Sequence, residues 1–319
     1  MATRLVTRSM FFSCFDEQTS RKLGEHLRLY TRAFSSRDNV TPAKTSMPAS
    51  PDLQEVPGIP SIPEYRKRYA QLSEKRIKEF RIYRWNPEKA QKPFLQSFFI
   101  NLNECGPMVL DALQKIKADQ DGSLTFRRSC REGVCGSCSM NIDGVNTVAC
   151  LQVIDPNVEK PHTITPLPHL HVIKDLVADL THLYQQYRAV EPWLKTKKPP
   201  PDGKEYRQSI EQRSKLDGYY ECILCFCCSA ACPQYWWNSD TFLGPAALIN
   251  AGRWVHDSRD DYTSERLQFL NDKWATYKCK LIFNCAATCP KHLNPGKAIQ
   301  TIKLMQIGSH ITGKEPTNK

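Results

Sequence analysis

The chain has no uninterrupted apolar run of about 18 residues, the length a helix needs to cross a bilayer. No part of it is expected to span a membrane, so attachment to one must come through partners. No apolar core of a secretory signal follows Met1. There is no nucleic-acid recognition motif and no aromatic ribonucleoprotein run, although the net charge is +11. A basic balance often marks a nucleic-acid surface. Here part of the excess lies near the N-terminus, and the densest internal patch, residues 195–204, reads as a solvated face. Nucleic acid is therefore not an expected partner. Apart from one cysteine frame that occurs twice, no internal repeat is present. The 319 residues suffice for two cores of ordinary domain size.

Cysteine is what the chain has in quantity. Of 14 cysteines, eleven fall into three spaced runs: Cys130, Cys135, Cys138 and Cys150; Cys222, Cys225, Cys228 and Cys232, closed by Pro233; and Cys279, Cys285 and Cys289, closed by Pro290. A disulfide framework would need an oxidising compartment and usually a small domain, and it would leave these intervals as coincidence. Thiolates so spaced hold iron–sulfur clusters, which points to electron transfer. The first run, C-x4-C-x2-C with a distant fourth cysteine, is the plant-type ferredoxin pattern for a 2Fe–2S cluster. Gly133 and Gly136 stand between its ligands, where glycine lets the backbone curl and turn N–H groups toward sulfur. The Asp143-Gly144 pair predicts a hairpin that returns Cys150 to the loop. Zinc also takes four thiolates, but usually from two short hooks, which this run does not supply.

The second run is C-x2-C-x2-C-x3-C-P, the bacterial ferredoxin pattern, in which the fourth cysteine serves the other cluster. The third run repeats that frame with Ile282 where a cysteine would stand. Sharing ligands on this rule assigns Cys222, Cys225, Cys228 and Cys289 to a 4Fe–4S site. Cys232, Cys279 and Cys285 remain, and three thiolates suit a 3Fe–4S cluster. A water on a fourth iron is the alternative, and an aliphatic Ile282 argues against it. Cys227 reads as a small buried neighbour rather than a ligand. Cys14 and Cys105 carry no assigned role.

The segments CREGVCGSCSMNIDGVNTVAC, ECILCFCCSAACPQYWWN and NCAATCPKHLNPGKAI together resemble the iron–sulfur subunit of succinate dehydrogenase, respiratory complex II, from about residue 80 onward. The resemblance implies an α+β chain. A β-grasp ferredoxin domain with the 2Fe–2S cluster comes first, then an all-helical, bacterial-ferredoxin-like domain with 4Fe–4S and 3Fe–4S clusters. It further implies an FAD flavoprotein subunit that oxidises succinate to fumarate, two membrane-anchor subunits of cytochrome b type, and ubiquinone or rhodoquinone as acceptor. Electrons would pass from the flavin through the three clusters in that order. The chain would sit peripherally on the matrix side of the mitochondrial inner membrane.

Pro233, Trp236 and Trp237 match the PxYWW segment of that family. By the resemblance Trp237 donates its indole N–H to a quinone oxygen, Trp236 walls the pocket or belongs to the core, and Ile282 lines the same pocket. Two residues depart from the pattern. Lys280 stands where the family usually has His, and Gln234 where it usually has Ser. Lysine loses the neutral imidazole form near pH 7, so altered quinone handling or potential is expected, as in a tissue- or stage-specific paralogue. Ile82-Tyr83-Arg84 is similar to the tripeptide through which a co-chaperone delivers clusters during assembly, and it reads equally as an ordinary strand. The second such site would fall at Thr276-Tyr277-Lys278, which lacks the arginine. A fumarate reductase subunit shares these runs and stays open. So do a subunit of a different soluble oxidoreductase and a protein whose metal only braces the fold.

Residues 1–34, rich in Arg, Ser and Thr, read as a mitochondrial presequence. Arg32-Ala33-Phe34-Ser35 resembles a matrix-protease site cut after Phe34, although Asp16, Glu17 and Glu25 depart from the acid-poor expectation. Residues 35–75 read as a flexible, proline-bearing leader. Residues 76–170 are expected to form the 2Fe–2S domain. Strands are predicted over 76–85 and 94–102, about Asp143-Gly144 and over 162–165, and Pro107 opens a helix. Residues 171–319 are expected to be helical, with 170–190, 245–253 and 295–307 as helices. The proline-rich connector 195–204 is either a rigid elbow or an exposed loop.

Overall fold

Phe80 and Ile82 alternate with half-exposed Arg81 and Tyr83 along strand β1, Ile77–Arg84, and both point into a core where neither is exposed to solvent. In this computed structural model, which describes residues 76–312, β1 is the second strand of a five-stranded sheet. The expected presequence, the leader and Cys14 lie outside the described residues. β1 pairs antiparallel with β2, Phe94–Asn101, so that Ile77 faces Asn101 and Arg84 faces Phe94. Its other edge pairs in parallel with β5, His162–Thr165. β3, Ser139–Ile142, and β4, Val145–Val148, form the hairpin that Asp143-Gly144 predicts. Both turn residues have positive φ, 51° and 86°, which suits a two-residue hairpin. β3 joins β5, giving the order β2-β1-β5-β3-β4. Helix α1, Val109–Asp119, buries Val109, Leu110, Leu113 and Ile116 in the same core. The Asp111 carboxylate accepts the Met108 N–H at its start. This is the expected β-grasp arrangement of strands and helix.

One element differs from its expectation. Residues 170–190 are not one helix: β6, Val172–Lys174, and β7, Val177–Ala178, form a small hairpin, and helix α2 covers only Thr181–Ala189. The apolar spacing of Val172, Leu176 and Leu180 imitates a helical face, but Asp175 decides the backbone. It adopts a left-handed φ of 45° and is almost fully buried. Its carboxylate accepts hydrogen bonds from Arg84 Nε, the Trp85 N–H and the Thr125 N–H. A helix would withdraw that carboxylate from three donors at once. The boundary expected after residue 170 thus falls just before a hairpin bound to the first sheet.

The rest is helical: α3, Ile210–Ser214; α4, Cys227–Ala230; α5, Pro233–Trp237; α6, Gly244–Val255; α7, Thr263–Leu270; α8, Asn284–Ala287; and α9, Pro295–Thr312. α6 is apolar almost all round and packs against α9, with Leu248, Ala251, Val255, Ile299 and Ile302 in one core. The connector 195–204 is pinned at its start. Lys195 Nζ meets Glu191 and Glu265, and its N–H meets Asp260. Among the described residues no helix is long and apolar enough to cross a membrane.

Candidate metal centres

The first cysteine run is a loop whose backbone turns left-handed at Arg131, Gly133 and Gly136. That curl aims main-chain N–H groups inward. Cys130 Sγ accepts from Glu132, Val134 and Cys135 at 3.3–3.4 Å, and Cys135 Sγ accepts from Cys130 and Ser137 at 3.5 Å. The N–H groups of Glu132 and Val134 pull the Cys130 thiol down to about 6, so it is a ready thiolate. Cys150 arrives from the end of β4. Its Sγ accepts the Gly133 N–H at 3.2 Å, and the Ala149 N–H meets the Cys138 carbonyl. Burial pushes Cys138 up to about 12. All four cysteines of the run therefore meet at one loop.

The second and third runs have nearly the same backbone. Leu224 and Phe226 have φ of 53° and 59°, and Leu281 and Phe283 have 53° and 66°. Each run then enters a four-residue helix, α4 or α8, whose last residue leads into a cap at φ −95°, ψ −2°. An apolar, partly open cavity is lined by Cys222, Cys225, Cys228 and Cys289, three thiols from one run and one from the other. Cys232, Cys279 and Cys285 pack in a single core. Burial pushes Cys285 up to about 12, and the proximity of Cys279 and Cys232 adds to that. Burial likewise raises Cys222, Cys228, Cys232 and Cys289. Buried thiols hold their protons unless a cation takes their place, and a coordinated thiol is deprotonated outright.

The donor sets suit clusters. They are sulfur-only and largely apolar in their walls, and N–H groups already point at several of the sulfurs. Among the described residues every cysteine is a free thiol, and no three His, Cys, Asp or Glu side chains converge on a single-ion position. Cys227 is fully buried among these thiols.

The expected quinone residues divide. Trp237 is 72% exposed and Ile282 51% exposed. The Trp236 indole N–H is already donated to the Ala230 carbonyl at 2.6 Å, and its ring stacks on His169, so it holds α5 in place. Pro233 is the first residue of α5. Lys280 is exposed. In the Ile82-Tyr83-Arg84 tripeptide, Ile82 is fully buried and Arg84 is engaged by Asp121, Asp175, Gln96 and Ser123. Sequence reasoning missed Asn250, whose Nδ2 donates to Cys222 Sγ at 3.6 Å and to the Ala246 carbonyl at 2.8 Å. Its one signal is a lone amide in the apolar run of α6. Asn146 and Thr288, which join the domains, left no signal.

The chain matches a 2Fe-2S iron-sulfur cluster binding domain over residues 79–185 and a 4Fe-4S dicluster domain over residues 221–294. It is 66% identical over 228 residues to a succinate dehydrogenase [ubiquinone] iron-sulfur subunit 3, mitochondrial, of Arabidopsis thaliana, covering 71% of this chain and 74% of that one. It is 60% identical over 236 residues to subunit 2 of Oryza sativa subsp. japonica, covering 73% and 76%. A chain of the Mycobacterium smegmatis Sdh1 complex in the apo form shares the fold, with a TM-score of 0.64 at 23% identity over 75% of this chain and 98% of that one. Identity at that level, over most of each plant chain, makes this chain a member of the mitochondrial succinate dehydrogenase iron–sulfur subunit family.

Proposed function

We propose that the chain is the electron-transfer subunit of a succinate:quinone oxidoreductase and that its eleven run cysteines are shared four, four and three. Cys130, Cys135, Cys138 and Cys150 hold a 2Fe–2S cluster. Cys222, Cys225, Cys228 and Cys289 hold a 4Fe–4S cluster, and Cys232, Cys279 and Cys285 hold a 3Fe–4S cluster. Once bound, these groups supply one-electron redox chemistry in series, from a partner's flavin to a quinone. The observation that carries the assignment is the cavity lined by three cysteines of the second run together with Cys289 of the third.

The protein's own part is to bind, to shield and to tune. Backbone N–H groups about Cys130, Cys135 and Cys150 favour the more negative, reduced state. Ile282 holds the frame position of Cys225 and offers no ligand. Trp237, at the end of α5 after Cys232, and Ile282, in the third run, are both exposed, and a quinone and membrane-anchor subunits would dock on such residues. Val134, Leu151 and Val153 are exposed about the first run, where an FAD flavoprotein subunit would dock. The membrane association is peripheral, on the matrix side, after removal of residues 1–34. In this reading, any co-chaperone that uses Ile82-Tyr83-Arg84 does so before β1 enters the sheet.

The test is a redox titration of the purified complex followed by electron paramagnetic resonance, with single Cys→Ser variants. Cys289→Ser is expected to abolish the tetranuclear signal, and Cys232→Ser the trinuclear one. The converse pairing would refute the sharing, and zinc in place of iron and sulfide would refute the function.

A further inference from the structure

The main chains of the two domains come close together at Gly136. Gly136 lies between Cys135 and Cys138, in the left-handed region at φ 66°. A methyl group there would stand 2.4 Å from the Ile223 carbonyl oxygen, 2.9 Å from the Cys225 nitrogen and 3.0 Å from the Cys225 Cα. These are backbone atoms of the second run, between Cys222 and Cys225, and no rotamer moves them aside. A side chain at 136 must separate the two loops or distort one of them.

A second set of contacts holds the same approach. Asn146, buried on β4, donates from Nδ2 to the Cys227 carbonyl at 3.3 Å. Its own carbonyl accepts from Thr288 Oγ1 at 2.7 Å, just before Cys289. Asn141 Nδ2 fixes the Asn146 amide by donating to its Oδ1 at 2.8 Å. One residue of the first domain is thus bonded to both cysteine runs of the second. Cys225 and Cys227 also share a hydrophobic core with Cys138 and Cys150.

We infer that Gly136, braced by Asn146, is the positioning residue that sets the gap for electron transfer between the first and second cluster sites. The inference rests on the ligand assignment proposed above. One electron leaves the first site and arrives at the second, with no bond made or broken and no proton moved. The rate of such a step falls exponentially with the gap and is favoured by packed protein over empty space. The missing side chain is what allows contact, so glycine here serves the spacing of the sites as well as the curl of the loop.

The experiment uses the intact complex carrying Gly136→Ala, Gly133→Ala, Asn146→Ala or Thr288→Val. Iron and sulfide analysis establishes occupancy. The readout is the enhancement of spin relaxation that a reduced second centre imposes on the reduced 2Fe–2S signal, because it reports their separation whatever the turnover. Gly133→Ala imposes a like left-handed strain in the same loop, but the three atoms nearest its methyl all belong to the Leu151 side chain and none to the backbone of the second domain. Gly136→Ala is expected to weaken the relaxation enhancement and to slow quinone reduction relative to a dye reduced at the flavin. Gly133→Ala is expected to keep the enhancement. A fully loaded Gly136→Ala complex with unchanged enhancement overturns the inference. If that variant does not assemble, Asn146→Ala and Thr288→Val decide, since both lie outside the liganding positions: weaker enhancement supports the inference and unchanged enhancement overturns it. Failure of the underlying assignment would look different, because the unaltered complex would then lack the cluster signals.

Discussion

Asn250 is the buried polar side chain that reaches a proposed ligand sulfur of the second site, and replacing it by leucine should lower the potential of that site alone. One of its amide hydrogens goes to the Ala246 carbonyl and the other to Cys222 Sγ. Leucine keeps the volume and removes both. The Ala246 carbonyl keeps its ordinary helical partner within α6, so no buried backbone group is orphaned. The sulfur loses a donor that the reduced, more negative state uses more strongly than the oxidised state.

A hydrogen bond to a charged group is worth about 1.5–3 kcal/mol. At 3.6 Å to a soft acceptor the low end applies, and only the redox-dependent part shifts the potential. About 0.5–1 kcal/mol remains by that reasoning, which is roughly 20–40 mV for a one-electron couple. The assay is a redox titration of the complex by electron paramagnetic resonance. The tetranuclear centre should titrate lower in Asn250→Leu, with the other two centres unmoved. Asn250→Asp, which adds negative charge, should lower it further. An unchanged or raised potential in the leucine variant, with cluster content intact, would refute the reasoning.

Ile282→Cys puts a thiol in the frame position of Cys225, between the left-handed Leu281 and Phe283. Magnetic resonance should show the trinuclear signal replaced by a tetranuclear one, with slower quinone reduction. His256 is half-buried, with its Nε2 buried and unpartnered, and burial pulls its pKa below the ordinary value. The unfolded chain then takes a proton that the folded chain refuses, so this contribution is whole above about pH 6.5 and is lost as pH falls below it. His256→Leu should flatten that loss in thermal melts taken across the range. Asp175→Ala removes one partner of a buried ion pair and strands two backbone donors, at a cost of about 3–5 kcal/mol. Cluster absorbance should bleach at a lower temperature than in Asp175→Asn, which keeps an acceptor oxygen.

What could be read from the sequence was local. The alternation in β1, the Asp143-Gly144 turn and the helix expected from Pro107 depend on near neighbours; the strand and the turn stand as expected, and α1 begins two residues after the proline. The cysteine intervals are local as well, since the loop conformation that presents the thiols is written between them. The hairpin at Val172–Ala178 was not legible. Its cause, the bond from Arg84 to Asp175, joins residues distant in the chain, and apolar spacing carries no record of it. The sulfur contact of Asn250, the bridging role of Asn146 and the close approach of Gly136 to the second domain were hidden for the same reason. Each acts on a segment brought to it by tertiary packing, and the curl that Gly136 allows in its own loop carries no record of that approach.

The two like turns of the helical domain differ where it matters most. Cys225 is 8% exposed, whereas Ile282 at the same place in the frame is 51% exposed. A fourth thiol at the buried position would complete a site walled largely by protein, and such a site exchanges electrons chiefly with neighbours in the protein. The same thiol at the exposed position would face solvent or a partner. In the proposed sharing, an isoleucine there leaves the third site one ligand short at an exposed position. In the proposed sharing each run also gives its last cysteine to the other run's site, so neither site would be complete until both turns have formed and packed. That mutual dependence fixes the separation of the second and third sites through the core shared by α4, α8 and α6, as Gly136 fixes that of the first and second through backbone contact. The spacing of the whole series is therefore built from close packing at two places, and the surface is left to the residues at its two ends.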